Sequence, residues 1–224
     1  MTTIYNKINN AIYEFLYFDD NDYNEIDIDT LSISILLTYM NIKPAIMPFS
    51  GRLLKNISHD SIKYKKFQDI IRSIDNLDIT YDLYCDSLYN NSYTIIIFNK
   101  NIEKIYDNLL NIKNIVSNHI TNNITNNKRD LIIADYHIKI GKILGYLYQD
   151  SPAKIRSCGN FYVYRLKFIM SDYDTEYYSF MCPYNMINDI PIKLMEILPK
   201  IKEILIQEKI NCDIKMTIEY HCDI

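Results

Sequence analysis

Residues 130–168 read DLIIADYHIKIGKILGYLYQDSPAKIRSCGNFYVYRLKF. The period of this stretch changes midway, and that change decides the class of fold. Ile133, His137, Ile140, Leu144 and Leu147 fall at steps of three and four, which is one face of a helix. Asp130 stands where an N-cap carboxylate accepts from the first free N–H groups. A polar segment with Pro152 and Gly159 follows. Tyr162, Tyr164, Leu166, Phe168 and Met170 then alternate with Arg165 and Lys167, the period of a strand with one apolar face.

Downstream, Glu176 to Cys182 forms a second strand. A three-residue loop at Asp172-Tyr173-Asp174 would pair Phe168 with Tyr178 and Leu166 with Phe180, keeping the apolar set together. Asn188 or Asp189 caps a further helix, with Pro191 in its first turn. Pro199 interrupts its pattern, so a kink or a new helix is expected there. The last strand alternates Ile214, Met216, Ile218 and Tyr220 with Asp213, Lys215, Thr217 and Glu219, and the second set predicts one wet face.

Upstream, Ser117 to Arg129 is asparagine-rich and aperiodic, an exposed loop or linker. Before it lie a helix from Ile102 to Val116 and a hairpin of Ile79–Cys85 with Tyr93–Phe98. Ile95-Ile96-Ile97-Phe98 is apolar on both faces, so that strand should be central and covered on both sides. Amphipathic stripes predict helices over Ile4–Tyr17, Leu31–Met40 and Ile62–Ile74, with Pro44 to Arg52 as a loop.

The expected class is α+β. About five strands, two hairpins plus a C-terminal strand, form a mostly antiparallel sheet covered by about six helices. One domain over 1–224 with loop 117–129 exposed is the first organisation; subdomains 1–116 and 130–224 are the alternative.

Charged residues make up 23% of the chain and the net charge is −4, so bulk electrostatics offer no attraction to nucleic acid or anionic membrane. No apolar run approaches the ~20 residues of a membrane span. The beginning of the chain lacks the order of a signal peptide, so a cytoplasmic protein with reduced cysteines is expected. Isoleucine, asparagine, lysine and tyrosine are abundant, while alanine, glycine and valine are scarce. In this the chain resembles proteins of very AT-rich genomes, such as those of the large DNA viruses of amoebae or the insect poxviruses. The resemblance is compositional; it implies an origin and assigns no residue a role.

Gly141 and Gly145 are two of only four glycines, and at a spacing of four they open a groove on one helix face. Close packing is the plainer explanation. The functional one is a ligand pocket bounded by His137, Cys158 and Tyr162. Arg165 and Lys167, with tyrosines nearby, form a face that could hold single-stranded nucleic acid. Cys182, Cys212, His221 and Cys222 lack the paired spacing of a zinc site, because His221 and Cys222 are adjacent in a strand and point to opposite faces. Asp135 and His137 point to different sides of their helix and cannot form a catalytic pair. No P-loop, dinucleotide, zincin or serine-hydrolase motif occurs. No catalytic residue, metal or cofactor is therefore expected. The leading expectation is a non-catalytic protein acting through protein–protein contacts, self-association as a homodimer included. A small-molecule site beside Gly141 and Gly145 is second, and single-stranded nucleic-acid binding third.

Overall fold

The computed structural model describes residues 2–17, 28–46, 60–74, 79–85, 93–108, 110–111, 114, 135, 138–144, 160–170, 173–183 and 189–222. The fold is α+β, and the chain divides into two compact units. Met1–Glu103 with Glu208–Ile210 form the first, and Lys104–Gln207 with Asn211–Ile224 form the second. Among the described residues all five expected strands form, and a sixth joins them. They are shared between two three-stranded antiparallel sheets rather than gathered into one.

The first unit opens with helix α1, Ile4–Leu16. Ile8, Ala11, Ile12, Phe15 and Leu16 form its buried stripe. Its free N–H groups are satisfied from two sides. Thr3 Oγ1 accepts from the Asn6 N–H at 3.2 Å, and Glu208 Oε2 accepts from the Tyr5 N–H at 2.9 Å. A carboxylate suits the positive end of a helix. Helix α2, Ile28–Tyr39, starts three residues before the expected Leu31. Asp29 lies in its first turn. Asp29 Oδ1 accepts from Tyr5 Oη at 2.6 Å and from Asn9 Nδ2 at 2.8 Å, tying α2 to α1.

Helix α2 ends through its own chemistry rather than through Pro44. Asn41 takes the left-handed conformation, φ 58°. The Ile42 N–H donates to Leu37 O at 2.9 Å and the Asn41 N–H to Thr38 O at 3.1 Å, the two bonds of a Schellman cap. Strand β1, Ala45–Ile46, follows where a loop was expected. Helix α3, Ile62–Ser73, is capped by Ser61, whose Oγ accepts from the Tyr64 N–H at 3.2 Å.

Strands β2, Ile79–Cys85, and β3, Tyr93–Asn99, pair as the expected hairpin, and β1 adds to the far side of β3. β3 is therefore central. Ile95, Ile96, Ile97 and Phe98 are all buried, which accounts for a run that is apolar on both faces. Phe67 of α3 joins the layers edge-on, its ring 5.3 Å from Phe15 of α1 and 5.5 Å from Tyr81 of β2.

The second unit holds helical residues 104–108 and 138–143, strand β4 (Asn160–Met170), strand β5 (Tyr173–Pro183), helix α4 (Asp189–Gln207) and strand β6 (Asp213–Cys222). β4 is the centre of its sheet, with β5 on one side and β6 on the other. The two hairpins thus take their third strands differently: β1 joins the second strand of its hairpin, β6 the first strand of its own.

The β4–β5 register differs from the expected one. Phe168 lies opposite Thr175, not Tyr178, and Leu166 opposite Tyr178, not Phe180. Pairing begins at Met170 with Tyr173, so the connection is shorter than three residues. A bulge between Leu166 and Lys167 then places one extra residue, Tyr177, on β5. The bulge restores parity: Tyr178, Phe180 and Cys182 return to register with the even-numbered Leu166, Tyr164 and Tyr162.

Helix α4 continues through Pro199. The proline removes one donor, and the carbonyl it would have met belongs to Met195. Pro199 and Met195 are both exposed, so water can take that carbonyl's bond. Ile201, Ile204 and Leu205 are buried on the same helix. Among the described residues no helix is long and apolar enough to cross a membrane. The expected loop 117–129 and the start of the glycine helix at Asp130 lie outside the described residues.

Candidate functional site

The residues expected to bear chemistry are placed as follows. His137, Gly145 and Cys158 lie outside the described residues. Gly141 is buried within helical residues 138–143, where the Leu144 N–H donates to Ile140 O at 2.9 Å. On the exposed side of this segment Lys139 Nζ meets Asp135 Oδ2 at 2.5 Å, an i,i+4 pair. Tyr162 is half-buried on β4, its ring 5.2 Å from that of Tyr220 on β6 and tilted by 50°.

Arg165 lies on β4 opposite Ser179 and Thr217, and Lys167 lies between Glu176 and Lys215. The register thus sets Lys167 between a base, Lys215, and an acid, Glu176, with Arg165 two residues along between neutral partners. Among the described residues no group of three or more His, Cys, Asp or Glu gathers to hold a metal. Cys212, just before β6, carries a free thiol whose Sγ donates to Asp213 O at 3.4 Å. Burial pushes this thiol up to about 11 and the charge of Asp213 adds to that, against a backbone hydrogen bond from Ile169 that lowers it. At neutral pH it stays protonated and is a poor nucleophile.

The feature with most exposed binding potential is one that residue patterning alone placed in a core. β6 has an alternating sequence, and its pairing with β4 runs unbroken from Asp213 opposite Ile169 to Cys222 opposite Asn160. Asp213, Lys215 and Glu219 are exposed, as the pattern predicts. The apolar row is exposed as well: Met216 by 40%, Ile218 by 47% and Tyr220 by 52%. These three lie opposite Leu166, Tyr164 and Tyr162.

The difference from one strand to the next explains the exposure. On β4, Leu166 and Phe168 are buried, so the apolar face is covered over the centre of the sheet. Among the described residues β6 is an edge, and its apolar row lies beyond that cover. An edge strand carries a row of backbone N–H and C=O groups with no neighbour on one side. β6 thus offers both an apolar row and a hydrogen-bonding edge over ten residues. Compared with protein-family models, curated proteins and solved structures, the chain matches none.

Proposed function

We propose that this chain acts by binding a protein partner, and that β6 is the strand it binds with. The observation that carries this reading is the row of Met216, Ile218 and Tyr220, exposed side by side on an edge strand. Scattered exposed apolar residues need no explanation, but a contiguous row beside an open edge is a typical docking feature. Methionine and tyrosine are also favoured in the cores of protein interfaces.

The exposed amine of Lys215 reports on this strand. In an extract of its native host, amine cross-links from Lys215 should reach a partner chain, and Ile218→Asp should remove them while leaving the thermal melt unchanged. Cross-links that persist undiminished in Ile218→Asp would contradict the proposal.

A further inference from the structure

We infer that the partner of β6 is a second copy of this chain, joined edge to edge in antiparallel register about a two-fold axis at Thr217. This rests on the reading of β6 as the binding strand.

The polar row of β6 runs Asp213, Lys215, Thr217, Glu219, His221: an acid, a base, a neutral hydroxyl, an acid and an imidazole. Read against itself in the opposite direction, that order is complementary. An axis at Thr217 sets Lys215 opposite Glu219 of the second copy and Asp213 opposite its His221. The apolar row then pairs within itself, Met216 with Ile218 and Ile214 with Tyr220. Thr217 meets its own copy, a pairing that antiparallel strands favour through hydroxyl hydrogen bonds. Thr217 Oγ1 is buried and has no hydrogen-bond partner among the described residues, so this pairing requires its hydroxyl to turn toward the edge.

Neighbouring registers lose this match. An axis at Met216 sets Asp213 against Glu219, like against like. An axis at Ile218 sets Glu219 against Thr217 and leaves Lys215 with no carboxylate opposite. An axis midway between Met216 and Thr217 sets Lys215 against Ile218 and Ile214 against Glu219, mixing wet and apolar faces.

The two edges of this sheet also differ in how they resist pairing. β5 carries the bulge opposite Leu166 and Lys167, and Pro183 at its end. Bulges and prolines blunt an edge. β6 has no proline, and its register with β4 contains no bulge. Its lysine, otherwise a blunting residue, gains a glutamate in the self-paired register. Pairing from Asp213 to His221 would add about eight to ten backbone hydrogen bonds and make one six-stranded sheet.

Sedimentation equilibrium of the full chain tests this with Lys215→Glu, Glu219→Lys, the double swap and Ile218→Asp. By symmetry each single reversal turns two cross-strand pairs repulsive, so each should weaken dimerisation about tenfold or more. The double swap restores both pairs and should return the affinity to within about threefold of the unaltered chain. An unaltered chain that stays monomeric would overturn the inference. A dimer indifferent to every charge change but broken by Ile218→Asp would overturn this register and leave β6 as a binding strand. A dimer indifferent to all four variants would overturn both.

Discussion

Asn99, at the end of β3, is 2% exposed and joins three elements. Its Nδ2 donates to Thr38 O and Tyr39 O, both at 3.4 Å, so it caps the last carbonyls of α2. Its Oδ1 accepts from the Asn101 N–H at 3.0 Å, starting the 3-10 turn Lys100–Ile102, and its own N–H donates to Pro44 O at 3.0 Å beside β1. Asn99→Ala should cost about 2 kcal/mol in urea unfolding, because the Tyr39 carbonyl loses this donor and the Asn101 N–H its acceptor. Asn41, by contrast, sits where glycine has no steric cost, so Asn41→Gly should be neutral or stabilise by a few tenths of a kcal/mol, while Asn41→Val should destabilise by about 1 kcal/mol or more. Lys43 follows in the same turn. Burial of its ammonium lowers its pKa from 10.5 to about 8. Between those values the unfolded chain binds the proton and the folded chain does not, so this residue's contribution to stability rises with pH from about 8 to 10.5. The stability difference between Lys43→Met and the unaltered chain should therefore shift toward the unaltered chain as pH rises through that window. A gap that stays constant with pH would contradict the assignment. None of these three roles was legible from residue types alone. An asparagine or lysine in a loop carries no mark of what its side chain will meet once distant elements pack.

Elements were more legible than residues. The stripes of α1 and α3 and the doubly apolar run of β3 predicted helices and a central strand to within a residue or so, because burial acts directly on hydrophobic period. The β4–β5 register was half legible. Apolar parity required the even-numbered residues to match, and they do, but through the extra Tyr177 rather than a longer turn. Turn length and bulge can offset one another, and the pattern constrains only their sum. β1 was missed since two residues show no period at all. Of the two expectations at Pro199, a kink or a new helix, the new helix does not occur: α4 runs on, with the carbonyl that the proline leaves open on a wet face. Pro199→Ala should restore one hydrogen bond and remove a ring clash, raising stability by about 1–2 kcal/mol, with slower amide exchange in the turn around Met195. A destabilised Pro199→Ala would mean that the proline has a packing role.

At the scale of the molecule, two three-stranded sheets divide between two compact units, and each has a different kind of edge. Residue patterning left one domain or two subdomains open, since antiparallel hairpins look alike whichever sheet they join. It also could not show that the apolar row of β6 lies beyond the covered part of its sheet. That depends on the order β5-β4-β6. The complementary charge order of β6 is written in the sequence, but it acquires meaning only once that strand is known to be an edge. The central claim, that β6 binds and that it binds its own copy, is tested most directly by amide hydrogen exchange at several protein concentrations. The account predicts protection at alternate residues of β6, centred on Thr217, that grows with concentration, while β5, the other edge of the same sheet, shows no such growth. Exchange from β6 that is identical at every concentration would contradict it.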